Sequence, residues 1–239
     1  MLEGQIAVIT GAGSGIGRAI TLMLVKQGAI VCLIGRDRDK LQQVANEVRL
    51  IGGQVEIITA DLADANDIEV LGKKLEQTYG RINILIHSAG AISLDNTATA
   101  SIEDFDWQYR VNVRGPYHLT QSLLSSIILC QGQVVFINSS AGLLNARANV
   151  GQYAATKHAL RAIADSLRDE VNDQGVRVLS VYPGKTASTM QAEIHEKVGK
   201  SYEPEKLMQP EDVASVVQAA LNLPKTAEMT DVSIRPMNK

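Results

Sequence analysis

The sequence of 239 residues predicts a doubly wound α/β fold: one parallel sheet of seven strands with helices on both faces. Three observations carry that prediction. Short apolar runs recur along the whole chain, at residues 6–9, 30–34, 55–58, 82–86, 134–137, 176–181 and 232–234. Most are apolar throughout rather than alternating, which is the pattern of parallel strands covered on both faces. Longer segments of helical periodicity separate them, and such alternation builds a parallel sheet through right-handed crossovers.

Taken in order, the first run is followed by a glycine cluster and then by Ile16, Ala19, Ile20, Leu22, Met23 and Leu24 at helical spacing. Gly28 stops that helix, and Gly52 stops a second one built on Leu41, Val44, Ala45 and Val48. Glycine just beyond the last turn is the usual helix terminator. Asp37 stands immediately before the second helix and is read as its N-cap. The segments 101–129 and 151–171 carry apolar residues such as Leu119, Leu123, Ala159 and Ala162 on more than one helical face. A second apolar face needs a second burial site, so a homodimer or homotetramer is expected. The stretch 187–210 is polar and poorly periodic, interrupted by Gly199, Ser201 and Pro204, and is expected to be a mobile flap near the strand C-termini. The whole chain, 1–239, is read as one domain carrying that flap.

Composition narrows the partners. Apolar residues make up 45% of the chain, as in a globular protein. A net charge of −3 offers no basic surface for nucleic acid or an anionic membrane. Residues 1–5 carry no basic leader and no apolar run reaches a membrane-spanning length, so a cytoplasmic protein is expected. Cys32 falls in a strand run and Cys130 at a helix end, which makes neither a disulfide framework nor a metal site.

The first strand ends in Thr10-Gly11-Ala12-Gly13-Ser14-Gly15-Ile16-Gly17. Glycines let the backbone turn sharply and approach a pyrophosphate, and the helix that follows offers free N–H groups and the positive end of its dipole. At the end of the second strand, where a dinucleotide's ribose is read, the sequence runs Gly35-Arg36-Asp37. Arg36 presents a planar fork suited to a 2′-phosphate, which points to NADP(H) over NAD(H). Asp37, 20 residues beyond Gly17, is the competing acid for an NAD ribose.

Tyr153 and Lys157 share one helix face at i and i+4. A phenol of pKa about 10 is a poor general acid–base at neutral pH, and a nearby cation lowers it. Ser140 stands thirteen residues before Tyr153, at the end of the fifth strand, where doubly wound sheets bind their ligands. Asn112 lies inside a helical segment, where Asn invites either a specific role or a kink holding a water.

The glycine turn with glycines at 11, 15 and 17, together with Asn112, Ser140, Tyr153 and Lys157 in order, resembles the short-chain dehydrogenase/reductase family. The resemblance runs from Gly4 to about Pro236. It implies a Rossmann-type oxidoreductase that moves a hydride between NADP(H) and the carbonyl or alcohol carbon of a small molecule. By the same resemblance Ser140 binds the substrate oxygen, Tyr153 passes the proton, Lys157 binds the nicotinamide ribose and lowers the Tyr153 pKa, and Asn112 holds a relay water. Ser139 is the near competitor for Ser140, and the spacing to Tyr153 favours Ser140. The cofactor is expected to touch Gly11, Ser14, Gly15, Ile16, Gly17, Arg36, Asp61, Leu62, Ser88, Ala89, Gly90, Tyr153, Lys157, Pro183, Gly184, Thr186 and Ser188. Asp61 has a helix cap as its alternative role. His87-Ser88 replaces the family's Asn-Asn, which puts in doubt the bracing those side chains give, and His87 itself is read as a packed strand-end residue. A non-catalytic dinucleotide sensor or scaffold, or a lyase or epimerase of the same fold, is the alternative.

Overall fold

The computed structural model describes residues 2–144 and 147–237. Seven parallel strands form one sheet: β1 (Ile6–Thr10), β2 (Ile30–Gly35), β3 (Val55–Thr59), β4 (Ile84–His87), β5 (Gln133–Ile137), β6 (Arg177–Pro183) and β7 (Asp231–Ile234). Their order across the sheet is β3-β2-β1-β4-β5-β6-β7. Each apolar run of the sequence overlaps one of them.

The strands are apolar throughout because both faces are covered. Successive residues point to opposite sides. On β1, Ala7 and Ile9 enter one core while Ile6 and Val8 enter the other. The first core is closed by α1 (Gly15–Lys26), α2 (Arg38–Leu50) and, later in the chain, the helix Pro210–Leu221, through Ile20, Leu24, Val44, Val48, Val213 and Val217. The second is closed by α3 (Ala65–Tyr79) and by the helices Gly115–Leu129 and Gly151–Val171, through Ile68, Leu71, Leu75, Ile127, Leu160 and Leu167. In chain order the α-helices after α3 are α4 (Ile102–Tyr109), α5 (Gly115–Leu129), α6 (Gly151–Val171), α7 (Thr189–Lys197) and α8 (Pro210–Leu221). β1 sits between β2 and β4, so the crossovers leave it in opposite directions. The crevice this opens at the strand C-termini is where such sheets bind ligands.

One sequence expectation changes here. Leu119 and Leu123 do not form a second apolar face on α5: both are fully buried in the chain's own core. Exposed apolar side chains on and beside these helices include Ile102 (65% exposed), Tyr109 (46%), Tyr117 (52%) and Leu129 (75%), with Ala162 exposed on α6. The stretch 187–210, polar and poorly periodic in sequence, contains α7. Ser188 caps that helix by accepting from the Gln191 N–H at 3.2 Å, and Gly199, at φ 65°, follows its end. Its only apolar stripe is short, with Met190 and Ile194 one turn apart, so no periodicity was visible over a longer window. No helix among the described residues is long and apolar enough to cross a membrane.

Candidate active site

The site is built on the strand ends. Gly11, at φ 65°, follows β1, and a Cβ there would lie 2.7 Å from the Ala89 backbone; a Cβ on Gly17 would lie 2.2 Å from the Gly11 carbonyl oxygen. Only glycine allows the β1 turn, the β4 turn and α1 to come this close. Thr10, a residue sequence reading passed over, ties the two turns together. Its buried hydroxyl donates to the Ile86 carbonyl (3.3 Å) and accepts from the N–H groups of Ser88 (3.1 Å) and Ala89 (3.2 Å). This supplies bracing where His87-Ser88 stand in place of two asparagines. His87 packs inward, stacked on Phe136 at 5.0 Å, with Nε2 2.8 Å from the Thr120 hydroxyl. Burial drives its pKa down to about 3, so it is a neutral packing residue.

α1 begins with no side-chain cap from Ser14 and no acid in its first turn. Its leading N–H groups therefore remain free for an anion. Arg36 is exposed beside this turn, and among the described residues it has no ion pair or side-chain hydrogen bond. Asp37 caps α2, accepting from the N–H groups of Asp39 and Lys40 at 3.1 Å each. That engages Asp37 locally and leaves Arg36 as the free group at the strand end. Asp61 accepts from the Ala63 N–H (2.9 Å), while the cap of α3 is Asp64, so Asp61 is not the helix cap.

Asn112 lies in a π-helical turn, Arg110–Arg114, between α4 and α5. Its amide accepts from the Ala91 N–H (2.8 Å) and donates to the Ala91 carbonyl (2.8 Å) and the Thr156 hydroxyl (3.0 Å). Both amide hydrogens are thereby used. The side chain is a brace between the loop after β4 and α6. Thr156, also passed over in the sequence, completes the brace.

Tyr153 and Lys157 lie on one face of α6, with Lys157 Nζ 5.8 Å from the phenol ring centre. Lys157 Nζ also donates to the Ile137 carbonyl at 3.2 Å. Burial lowers the ammonium to about pKa 8. Burial raises the phenol, and the Ser139 hydroxyl pulls it partly back. Ser139 is the hydroxyl that acts on Tyr153, whereas Ser140 begins a short 3₁₀ turn, Ser140–Gly142. Both line the cleft. Nearby, Thr186 donates to the Gly184 carbonyl (3.2 Å), and Tyr202 meets Ser188 by accepting from its N–H at 3.1 Å.

One cleft of about 450 Å³ gathers these groups. Gly11, Ser14, Gly15, Ile16, Gly17, Arg36, Asp61 and Leu62 line one side of it; Ser88, Ala89, Gly90, Ser139, Ser140, Tyr153, Lys157, Pro183, Gly184, Thr186 and Ser188 complete it. Asn112 is fully buried behind Ala91. A glycine-floored turn, an uncapped helix N-terminus and an exposed guanidinium at the second strand end suit a phosphorylated dinucleotide. Such a cleft, opening on a tyrosine and a lysine, defines a dinucleotide-dependent enzyme of the doubly wound class.

The comparisons agree. The short chain dehydrogenase family model matches residues 5–199. An uncharacterized oxidoreductase of Staphylococcus aureus (strain N315) is 33% identical over 240 residues, covering 99% of each chain. An alcohol dehydrogenase from the archaeon Thermococcus sibiricus, complexed with 5-hydroxy-NADP, superposes with a TM-score of 0.89 at 27% identity, covering 99% of this chain and 98% of that one. A metagenomic short-chain oxidoreductase in complex with NADP gives a TM-score of 0.86 at 30% identity, covering 100% and 99%. The chain belongs to the short-chain dehydrogenase family and is an oxidoreductase of that family.

Proposed function

We propose that this enzyme reduces a carbonyl, or oxidises the matching alcohol, of a small-molecule substrate with NADP(H), using Tyr153 as the general acid–base. The observation that carries the reading is the convergence of Tyr153, Lys157 and the Ser139 hydroxyl on the cleft floored by the glycine turn. NADP in the solved relatives supports the cofactor assignment, and so does the free Arg36.

NADPH, when bound, supplies the hydride to the carbonyl carbon. Ser139 donates a hydrogen bond to the carbonyl oxygen and holds it toward the phenol. Tyr153 gives its proton to that oxygen and is left as phenolate. Lys157 is protonated below about pH 8, and its ammonium stabilises that phenolate. Asn112 and Thr156 keep α6 and the Ala91 loop in register, so that the proton donor stays where the cleft needs it. Oxidation runs the same steps backward. The helix α7, tied through Ser188 to Tyr202, is the flap of this reading and excludes water as it closes. The exposed Ile102, Tyr109 and Tyr117 are the surface for a second copy in a cytosolic homo-oligomer, which light scattering checks against the chain mass of 25.8 kDa.

The two serines separate by mutation. Ser139→Ala is expected to lower kcat/KM for a reactive ketone by about 10²-fold, the size of one lost oxyanion-type donor, and Ser140→Ala by far less. A large loss in Ser140→Ala with near-normal Ser139→Ala would return the role to Ser140.

A further inference from the structure

We infer that Lys40 is a second cation for the 2′-phosphate of the cofactor and shares with Arg36 the discrimination of NADP(H) from NAD(H). The inference rests on the proposed reading of the cleft as a dinucleotide site and adds a residue that neither the sequence motif nor the reading assigned.

The argument starts from where α2 begins. Its first turn runs against the glycine turn: a Cβ on Gly13 would lie 3.1 Å from the Lys40 Cβ and 3.6 Å from the Leu41 N. The stem of Lys40 thus starts in contact with the loop whose backbone surrounds the phosphate site, and Lys40 lines the same cleft as Arg36 and Gly13. A lysine has enough reach and rotamer freedom from that point to follow a phosphate, as a point charge rather than a fork. Its present partner is weak. Lys40 Nζ is 3.6 Å from Asp37 Oδ2, and both side chains are more than half exposed, at 55% and 52%. An exposed pair of this kind contributes little.

The charges near this end of the cleft support the same conclusion. Arg36, Asp37 and Lys40 line it together. Asp37 is fixed in place by capping α2 and its carboxylate is held below the usual range, chiefly by the Lys40 N–H, so it stays negative beside the site. With Arg36 alone the trio would be neutral and a dianionic phosphate would gain little. With Lys40 it carries a net positive charge. Asp37 therefore opposes the phosphate, and Lys40 offsets that opposition whether it stays near Asp37 or swings to the phosphate.

The test is a fluorescence titration of NADPH and NADH on the intact protein, comparing wild type with Arg36→Ala, Lys40→Ala, Lys40→Arg and Asp37→Asn. Lys40→Ala is expected to weaken NADPH by roughly 5- to 30-fold while NADH changes less than about twofold. Lys40→Arg restores most of the affinity. Asp37→Asn, which keeps the cap, tightens NADPH selectively. The NADPH loss in Lys40→Ala shrinks with added salt, as exposed charge contacts do and a packing defect does not. If Lys40→Ala weakens both cofactors equally, or neither, while Arg36→Ala weakens NADPH selectively, the inference is wrong and the dinucleotide reading stands. If wild type binds neither cofactor, the reading fails and the inference with it.

Discussion

The Asn112 brace offers a magnitude that follows directly from the geometry. Asn112→Ala removes the acceptor of the Ala91 N–H and the donor to the Ala91 carbonyl, both in a residue only 4% exposed. Thr156 loses an incoming bond but keeps its own to the Tyr153 carbonyl at 2.8 Å. Two buried backbone groups are thus orphaned, each costing about 1–3 kcal/mol, and the truncation adds a small cavity. The sum is about 3–6 kcal/mol, a large share of a total stability of about 5–15 kcal/mol. For a chain of this size that lowers Tm by roughly 6–24 °C. Urea unfolding followed by circular dichroism reads the loss, and the same variant should lose kcat more than cofactor affinity, because α6 carries Tyr153. A loss under about 1 kcal/mol would refute the brace.

Two further outcomes are expected. His87 has a folded pKa near 3, below its unfolded value of about 6.5, so between those values the unfolded chain binds a proton that the folded chain does not, and stability falls as pH falls. Between pH 7 and pH 5 this amounts to about 2 kcal/mol. Urea unfolding of wild type and His87→Asn should show that much less pH dependence in the variant, and parallel profiles would show that His87 titrates in the fold. Tyr202→Phe removes the hydroxyl that meets the Ser188 backbone. Hydrogen exchange in α7 should rise in the variant and fall in wild type on adding NADPH with a substrate analogue; exchange unchanged by either would make this segment an ordinary surface helix.

The parts of the fold legible in the sequence are those in which one local rule decides the outcome. Strands covered on both faces must be apolar at every position, so β1, β2 and β5 stood out as unbroken runs. The glycines at 11 and 17 mark close approaches that no other residue permits. Asp37 was readable as a cap because a periodic helix follows it at once. What escaped depended on two segments meeting. Thr10 and Thr156 are ordinary hydroxyls until the 88–91 turn is folded against them. The choice between Ser139 and Ser140 turns on where β5 ends and the 3₁₀ turn begins, a one-residue matter: spacing to Tyr153 favours Ser140, and the neighbourhood of the phenol favours Ser139. Lys40 belongs to no motif in the sequence, and only the packing of α2 on Gly13 brings it to the cleft. Leu119 and Leu123 have the period of an interface and of a core alike, and burial against β4 and β5 selects the core.

The central claim is that Tyr153 moves the proton while the cofactor site works independently of it. Stopped-flow measurement of NADPH oxidation, with a ketone that wild type turns over, tests this in the Tyr153→Phe variant. The account predicts a fall in the hydride-transfer rate of about 10²–10⁴-fold, the usual contribution of a positioned acid–base group, with NADPH affinity within about threefold of wild type. A Tyr153→Phe enzyme that transfers hydride at a near-normal rate would contradict it.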